Sequence, residues 1–388
     1  MTKRYSNISL FTGAMGLDLG LESAGFETRL AIESDKTVCA TIMKNRPNLP
    51  LIPEDLTVVP SERILAEARL ERSKVDLVSG GLCCQPFSTA GRRQSLSDPR
   101  GMLVDQFVRV VDELRPTLFL MENVVGILSA AVKHRPLKMR GKGFPPLSPE
   151  EQPGSAIRLI LSRFDAIGYN AKPMLLNAAD YGTPQTRRRV FLVGSRDGLE
   201  VEPPPPTHFR HPGPGQLKWR SLASAFKGLH DPGKEGAKFS KKRARYLDLV
   251  PPGGDWRNLP RRLQRGAMGQ AIDSWGGRTG FCRRLSTGQP APTLVSSPTT
   301  RASCMCHPAE TRPLTIKEYA RLQDFPDDWA FVGSMSQRYL QIGNAVPVSL
   351  GRAVGESLVK ALGRQSSTLK SKVGVAAIAH DGRSPQAT

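Results

Sequence analysis

The hydrophobic positions of the first 200 residues fall into short apolar runs that alternate with amphipathic stretches. Apolar runs of this length predict buried strands, and the stretches with a helical period predict helices that cover them. The alternation indicates a doubly wound α/β sheet. The predicted strands are Asn7–Phe11, Thr28–Ile32, Val75–Ser79, Thr117–Met121, Lys172–Leu176 and Val190–Val193, and the predicted helices include Leu17–Ala24 and Leu103–Leu114.

Residues 207–289 break this pattern. The segment follows the proline run Pro203–Pro206, is rich in glycine and proline, and lacks a sustained period of 2 or 3.6 residues. A solvated linker is the alternative to a folded unit, but interspersed aromatic residues favour a folded core. This segment contains several of them: Trp219, Phe226, Tyr246, Trp256 and Trp275. We therefore predict a separate, loop-rich domain.

Two further segments fall outside the α/β pattern. The basic insert Lys133–Lys142 interrupts it and is predicted to be a surface loop. Beyond Gly363 the residues Ser, Lys and Gly predominate, which predicts a disordered tail over residues 363–388.

The charge of the chain is unevenly distributed. The 388 residues carry a net charge of +20, of which residues 207–289 contribute +12 and residues 1–206 only +4. Such a balance favours a polyanionic partner, either nucleic acid or an acidic membrane surface. Because no run of 18 apolar residues and no signal peptide is present, we expect a soluble, cytoplasmic protein without a membrane partner. The six cysteines have no disulfide spacing and are predicted to be reduced.

The turn after the first strand is a candidate cofactor site. Gly13 and Gly16 allow a ligand to approach the backbone at a helix N-terminus, where N–H groups are unpaired. Glu33, at the end of the second strand, can accept hydrogen bonds from ribose hydroxyls, and Asp55 can meet an adenine amino group. This pattern fits a nicotinamide enzyme, a flavin enzyme or a methyltransferase, and a plain structural turn also accounts for it. The spacing Gly-x-x-Gly lacks the full dinucleotide fingerprint, which disfavours a dehydrogenase.

A thiol, a carboxylate and two guanidinium groups adjoin other predicted strands. The loop Gly80–Ser88 places Cys84 at the carboxyl end of a strand, although a buried structural cysteine is the usual alternative. Glu122 ends an otherwise apolar strand, where a helix cap or an ion pair would also account for a carboxylate. Alternation puts Arg187 and Arg189 on one side of the last strand, where they suit a phosphate or a base carbonyl oxygen.

In their order along the chain, these features closely resemble the DNA (cytosine-5) methyltransferases of bacterial restriction-modification systems, up to about residue 360. The matching motifs are the glycine loop Phe11–Gly16, Cys84-Gln-Pro-Phe-Ser, Arg100-Gly101, Glu122-Asn-Val, the Gln185-x-Arg-x-Arg run, Arg312-Pro-Leu-Thr-Ile-Lys-Glu, Leu322-Gln-Asp-Phe-Pro-Asp and Gly343-Asn-Ala-Val-Pro-Val. The resemblance implies a Rossmann-like methyltransferase sheet with a smaller, loop-rich target-recognition domain. It also implies S-adenosylmethionine as methyl donor and double-stranded DNA as substrate.

The resemblance assigns chemical roles. The target cytosine is flipped out of the duplex, the thiolate of Cys84 adds to C6, and Glu122 engages N3 and the exocyclic amine. Carbon 5 then takes the methyl group, and loss of its proton with expulsion of the thiolate frees the enzyme. Arg187 and Arg189 support this pocket, Arg189 at the cytosine O2.

The resemblance also assigns binding residues. The cofactor residues include Phe11 against the adenine, Glu33 on the ribose and Asp55 on the adenine edge. The full cofactor set is Phe11, Gly13, Gly16, Leu17, Glu33, Ser34, Asp55, Leu56, Leu103, Asn344 and Val346. The residues expected to contact DNA are Gln85, Ser88, Arg100, Arg257 and Arg283. Further candidates for phosphate contacts in the basic segment are Arg210, Lys218, Arg261, Arg262, Arg278 and Arg284.

Two positions depart from the family pattern. Cys83 stands where the family usually has proline, and because that position acts through its backbone carbonyl we expect activity to survive. Cys84, not Cys83, holds the register with Gln85 and is the expected nucleophile. Met15 stands where the family commonly has glycine, which could shift the fit of the cofactor.

The implied organisation has a catalytic domain of residues 1–200 plus 328–362 and a target-recognition domain of residues 201–327. We expect a monomer, and a cognate restriction endonuclease would act on the same site without a stable complex. Cys304, Cys306 and His307 lack a fourth ligand, so no metal is expected. A transfer RNA methyltransferase and a non-catalytic DNA-binding protein are the alternatives, and the long basic segment disfavours the first.

Overall fold

A seven-stranded sheet in the order β3-β2-β1-β4-β5-β8-β6 forms the centre of the protein. The computed structural model describes residues 4–82, 102–273 and 278–379, with only the backbone described at residue 102 and from residue 365 onward. The strands are β1 (Tyr5–Leu10), β2 (Phe26–Ile32), β3 (Leu51–Ile52), β4 (Leu77–Gly81), β5 (Leu118–Val124), β6 (Asn170–Asn177), β7 (Gln185–Thr186), β8 (Arg188–Ser195), β9 (His208–Phe209), β10 (Leu217–Lys218) and β11 (Ala291–Pro292). The helices are α1 (Gly16–Ala24), α2 (Lys36–Asn45), α3 (Ser61–Ala68), α4 (Met102–Leu114), α5 (Ser155–Ala166), α6 (Leu222–Phe226), α7 (Lys241–Leu247), α8 (Arg261–Met268), α9 (Ile316–Arg321), α10 (Met335–Asn344) and α11 (Val348–Ala379).

The predicted doubly wound α/β sheet is confirmed. Strands β1 to β5 pair in parallel, whereas β8 runs antiparallel to both of its neighbours, β5 and β6. All six predicted strands overlap observed ones, and the short β3 was not predicted. The carboxyl ends of β1, β2, β4 and β5 therefore meet at one edge of the sheet, together with the start of β8.

Apolar side chains cover both faces of the sheet. On one face, Phe119 of β5 stacks on Phe164 of α5 with ring centroids 4.0 Å apart, and Phe107 of α4 meets both rings edge-on. On the other face, Leu21 of α1 and Leu350 of α11 are fully buried in a second cluster. Each fully buried side chain of this size contributes roughly 1.5–3 kcal/mol to folding. The strands are thus apolar on both sides, which explains their continuous hydrophobic runs.

Glycines bring α1 and α11 into close contact. A Cβ atom on Gly20 would lie 2.5 Å from the backbone N of Arg352 and the carbonyl O of Val348. On the facing helix, a Cβ on Gly355 would lie 2.7 Å from that of Ala24. The C-terminal segment thereby returns to the first helix. The backbone of α11 stays helical to Ala379, beyond the boundary predicted at residue 363, in a stretch that contains the good helix formers Ala, Leu and Lys.

The loop-rich segment has a buried core of its own. Leu247, Val250 and Leu259 pack with three cysteines, and Trp256 is partly buried against them. The elements here are short helices and two-residue strands that do not join the main sheet. The domain boundaries at residues 200, 327 and 362 stay predictions. Within the three described ranges, no helix combines the length and the apolarity needed to cross a bilayer.

Candidate active site

A cavity of about 1000 Å³ opens at the edge where the parallel strands end. It brings together residues that lie more than 300 positions apart in the sequence. Its lining includes all eleven predicted cofactor residues: Phe11, Gly13, Gly16, Leu17, Glu33, Ser34, Asp55, Leu56, Leu103, Asn344 and Val346. Three of the four predicted catalytic residues also line it, namely Glu122, Arg187 and Arg189.

The turn after β1 has a backbone conformation that lets a ligand approach the main chain closely. Gly13 has a φ of +56°, and its N–H donates to Oε2 of Glu33 over 2.9 Å. A Cβ on Gly16 would lie 2.3 Å from the carbonyl O of Val346, so only glycine fits there. Met15 adopts a φ of 67° with a fully buried side chain, which is a strained conformation for a residue with a Cβ. The departure at Met15 thus fills the core behind the turn.

Carboxylates line the part of the cavity that follows β2. Oε1 of Glu33 accepts a hydrogen bond from the N–H of Asp35 over 2.9 Å, which fixes the carboxylate together with the bond from Gly13. Oδ1 of Asp55 accepts from the backbone N–H and the hydroxyl of Thr57, at 2.9 and 2.8 Å. Each carboxylate oxygen has two lone pairs, so oriented acceptors are left for a ligand with hydroxyl or amino groups.

Glu122 stands at the end of β5 with 5% of its surface exposed. Its Oε1 lies 2.8 Å from Nε of Arg189. Burial raises the pKa of Glu122, and the positive charges of Arg189 and Arg187 oppose this rise without cancelling it. A carboxyl group in this setting can hold and release a proton.

Glu122 also adjoins the end of β4. It pairs in register with Gly81, and a Cβ on that glycine would lie 3.5 Å from Oε2 of the carboxyl group. The carboxyl group therefore lies close to the point where the chain continues toward Cys84. Four predicted site residues lie outside the described residues, together with Cys83: Cys84, Gln85, Ser88 and Arg100.

Arg187 and Arg189 share a side of the chain, as alternation predicts, while Arg188 is exposed. Arg187 is 1% exposed and donates from Nη1 to the carbonyl O of Leu294 (3.0 Å) and from Nη2 to that of Gly343 (2.8 Å). It thus ties two distant segments to the cavity wall. Arg189 is the guanidinium group that contacts the carboxyl group of Glu122.

The predicted DNA residues Arg257 and Arg283 differ in exposure. The side chain of Arg257 is 56% exposed, and its Nη2 lies 3.5 Å from Asp255. Arg283 is half-buried and donates from Nε to the carbonyl O of Cys304 over 3.1 Å. Burial lowers the pKa of Arg283. Arg257 is therefore better placed to meet a polyanion.

Arg284 is buried in the loop-rich segment and binds its main chain. It is 6% exposed and donates to the carbonyl oxygens of Val250 (2.8 Å) and Leu247 (2.7 Å). The expectation of a phosphate contact from this residue is wrong, because its guanidinium group is surrounded by the main chain that it holds together.

The cysteines of this region pack as neutral thiols. Burial raises the pKa of Cys306 to about 11 and that of Cys304 to about 12. Nδ1 of His307 accepts hydrogen bonds from two backbone N–H groups, those of Ala309 (3.2 Å) and Glu310 (3.1 Å). Among the residues that the structure describes, no group of three or more His, Cys, Asp or Glu side chains is arranged to hold a metal ion.

Sequence reasoning missed one wall of the cavity, formed by residues 293–296 and by Gln341. Gln185 positions this wall: it is fully buried, and its Oε1 accepts from the N–H of Leu294 over 2.9 Å. Its Nε2 donates to the carbonyl O of Leu322 over 3.0 Å. The sequence marked Gln185 only as part of a motif. It could not show that Gln185 holds this wall, because its hydrogen-bond partners lie over 100 residues away in the chain.

Comparison with known proteins agrees with this arrangement. The family model of the C-5 cytosine-specific DNA methylase matches residues 5–360, and the chain belongs to this family. It is 38% identical to Type II methyltransferase M.PspPI of Psychrobacter sp. (strain TA137), over 93% of this chain and 80% of that protein. It is also 38% identical to Type II methyltransferase M.Eco47II of Escherichia coli, over 92% of this chain and 79% of that protein.

Solved structures share the fold. A proposed DNA modification methyltransferase encoded in an E. coli prophage has a TM-score of 0.63 at 24% identity, covering 92% of this chain and 99% of that one. The DNMT2 of Spodoptera frugiperda has a TM-score of 0.53 at 17% identity, covering 92% and 99%. The predicted family and the predicted enzyme class, a DNA (cytosine-5) methyltransferase, are confirmed.

Proposed function

We propose that this chain transfers a methyl group from S-adenosylmethionine to carbon 5 of one cytosine within a specific site in double-stranded DNA. The observation that carries the proposal is the single cavity that contains Glu33 and Asp55 in one part and Glu122 with Arg189 in another. A methyl donor and a base bound there would lie side by side in one cavity, and direct group transfer requires the reacting atoms to be held close together.

The residues of the first part suit S-adenosylmethionine. The glycine turn leaves room for a ligand against the backbone, and the fixed carboxylate of Glu33 has lone pairs for two ribose hydroxyls. Asp55 would accept from the adenine amino group, and Phe11 would pack on the adenine ring. When bound, S-adenosylmethionine supplies a methyl group activated by its positively charged sulfur.

The residues of the second part suit an extruded cytosine. Carbons 5 and 6 are shielded inside the base stack, so the base must leave the duplex to reach Glu122. A protonated Glu122 donates to N3 and accepts from the exocyclic amine through its other oxygen. Arg189 holds the carboxyl group in place and offers its remaining N–H groups to the cytosine O2.

The thiolate of Cys84 then adds to C6 while N3 takes the proton from Glu122. Electron density moves to C5, which would attack the methyl carbon of bound S-adenosylmethionine. The new carbon–carbon bond forms as the sulfur–methyl bond breaks, and S-adenosylhomocysteine leaves with that electron pair. A base removes the C5 proton, the C6–sulfur bond breaks, and N3 returns its proton to Glu122, which restores the aromatic ring and the enzyme. Glu122 pairs in register with Gly81 at the end of β4, and Gly81 precedes Cys84 by three residues. This proximity supports a mechanism in which Cys84 and Glu122 act on the same base.

Methyl transfer from tritiated S-adenosylmethionine tests the proposal. Purified protein should label duplex DNA of varied sequence, Cys84→Ser should abolish labelling, and Cys83→Ser should retain it as the matched control. A covalent complex with 5-fluorocytosine DNA should form with Cys83→Ser and not with Cys84→Ser. Labelling of transfer RNA in place of DNA would contradict the choice of substrate.

The relatives are Type II methyltransferases, which supports a role in protecting host DNA within a restriction-modification system. On this proposal the protein works in the cytoplasm as a monomer, and a cognate endonuclease acts on the same site without a stable complex. Bisulfite sequencing of DNA from cells expressing the protein would identify the methylated site.

A further inference from the structure

The loop of residues 130–154, called the basic loop from here on, leaves the sheet beside the candidate active site. Strand β5 carries Glu122 and ends at Val124, a short 3-10 turn covers Val125–Leu128, and the basic loop follows. Helix α5 begins after the loop at Ser155. The basic loop therefore starts at the same edge of the sheet as the cavity.

The ends of the basic loop are joined. The N–H groups of Gly154 and Ala156 both donate to the carbonyl O of Ala130, at 3.1 and 3.2 Å. The N–H of Val132 donates to the hydroxyl of Ser155 over 2.8 Å. A closed base of this kind gives the loop a fixed position on the sheet.

An internal ion pair shapes the loop. Arg135 donates from Nε to Oε1 of Glu151 over 2.9 Å and from Nη1 to the carbonyl O of Pro145 over 2.6 Å. The two side chains are only 16% and 13% exposed. The guanidinium group lowers the pKa of Glu151 to about 2, so the pair stays charged at neutral pH. Arg135 is thus occupied within the loop.

Three lysines of the loop face solvent, whereas Arg140 is half-buried and donates from Nε to the carbonyl O of Arg135 over 2.8 Å. Lys133, Lys138 and Lys142 are exposed, and residues 133–149 contain no Asp or Glu. Nζ of Lys133 lies 3.9 Å from Oε2 of Glu150, and because both side chains are largely exposed this pair leaves the lysine accessible. Leu137 lies among them with 77% of its surface exposed. Proteins that bind nucleic acids combine cations with an exposed apolar side chain. The cations hold phosphates, and the apolar side chain packs against sugars or bases.

We propose that the basic loop binds the DNA duplex beside the target cytosine, with Lys133, Lys138 and Lys142 on backbone phosphates and Leu137 against the sugars. This proposal rests on the proposed function. A cytosine that reaches Glu122 must come from a duplex lying across this edge of the sheet, so the loop and the duplex share one side of the protein. The positive surface complements the phosphates, and it is separate in sequence from the basic segment of residues 207–289.

Anisotropy of a fluorescein-labelled 40-bp duplex of mixed sequence, titrated at several salt concentrations without methyl donor, tests the proposal. The triple variant Lys133→Gln, Lys138→Gln, Lys142→Gln should bind about tenfold more weakly near 0.1 M salt. Its slope of log affinity against log salt should fall by about 2 to 3, because each lost phosphate contact removes roughly 0.9 from the slope. Leu137→Ser should weaken binding about threefold and leave the slope unchanged, since an apolar contact releases no counterions.

The matched control removes three charges at the opposite edge of the sheet. Lys44→Gln, Arg72→Gln, Lys74→Gln alters exposed residues near the amino ends of the strands and should leave affinity and slope unchanged. If the loop variant binds like this control, the basic loop does not contact DNA. Failure of the wild-type chain to label DNA would instead refute the proposed function, and the two results are read from separate assays. Equal thermal midpoints of the two triple variants show that both are folded.

Discussion

Nε of Arg189 lies 2.8 Å from Oε1 of Glu122, and both side chains are largely withdrawn from solvent. The two groups act on the proton of the carboxyl in opposite senses. Burial favours the neutral form of Glu122, whereas the neighbouring guanidinium favours the ionised form, and the outcome is a raised pKa. The pair therefore combines a fixed position with a proton that can be exchanged with a base.

Glu122→Gln should reduce the rate of methyl transfer by about 10²- to 10⁴-fold, because the amide cannot give a proton to N3. Binding of S-adenosylmethionine, measured by calorimetry, should stay unchanged. Glu62→Gln, at an exposed position on α3, is the matched control and should retain full activity. Wild-type turnover by the Glu122→Gln variant would remove Glu122 from the mechanism.

Arg189→Gln should shift the pH dependence of methyl transfer. The active form of Glu122 is protonated, so activity falls as the pH rises through its raised pKa. Removal of the cation raises this pKa further, and the alkaline loss of activity should move to higher pH while the maximum rate decreases. Single-turnover rates between pH 5 and 9 provide the measurement. An alkaline limb that moves to lower pH would show that another group titrates.

Glu33→Gln should weaken binding of S-adenosylmethionine by at least about tenfold, since hydrogen bonds to a charged acceptor contribute roughly 1.5–3 kcal/mol. Glu27→Gln on β2, the strand that precedes Glu33, changes a side chain that is 51% exposed and should bind the donor like the wild type. Calorimetry with S-adenosylmethionine gives both affinities, and DNA anisotropy should be the same for the two variants. If Glu33→Gln and Glu27→Gln bound S-adenosylmethionine with equal affinity, the ribose would not contact Glu33.

Asp18→Asn should change how stability depends on pH. Asp18 is 1% exposed, and burial raises its pKa from 3.8 to about 7. A raised pKa in the folded state means that its stabilising contribution is complete below about pH 4 and is lost as the pH rises through 7. At about 1.4 kcal/mol per pKa unit, this loss is on the order of a few kcal/mol.

The asparagine variant does not titrate and should lose less free energy of unfolding between pH 5 and 8 than the wild type. Urea unfolding at several pH values, without methyl donor, compares the two. Parallel curves for the two proteins would show that Asp18 keeps its ordinary pKa in the folded protein.

Gly20→Ala should destabilise the protein by about 1–3 kcal/mol, the usual effect of overpacking. The added methyl group would meet the backbone of α11 at 2.5 Å, and neither helix can move without disturbing the sheet. Gly288→Ala is the control, because nothing lies within 4 Å of a Cβ there. Denaturant titration measures both, and equal midpoints would mean that the helices separate freely.

The strands could be predicted because a sheet covered on both faces needs uninterrupted apolar runs, as in residues 118–121 of β5. The reversed direction of β8 could not be predicted this way, since Val190–Val193 is equally apolar in either orientation. The glycine turn and its spacing indicated Gly13, Gly16, Glu33 and Asp55, and motif resemblance supplied the other seven cofactor residues. All eleven line one cavity, which opens where the parallel strands end.

The arginines show where sequence reasoning stops. The alternation of side chains along a strand correctly put Arg187 and Arg189 on one side. It could not show that Arg187 binds the main chain while Arg189 contacts Glu122, since the hydrogen bonds of Arg187 go to carbonyl groups 107 and 156 residues away. The family resemblance made Arg284 a candidate for a phosphate contact, although its guanidinium group lies inside the protein. Charge counts do not reveal which cations the fold needs for its own loops.

The wall of the cavity formed by Gly343, Asn344 and Val346 has a consequence for synthesis of the protein. The strands that carry Glu33 and Glu122 emerge from the ribosome first, and chains begin to fold from their N-terminal parts as they are made. The cavity stays open on one side until residue 346 has been translated. Chains that stop earlier cannot enclose a methyl donor, so on our proposal DNA in the cell is protected only by molecules whose translation has passed this point.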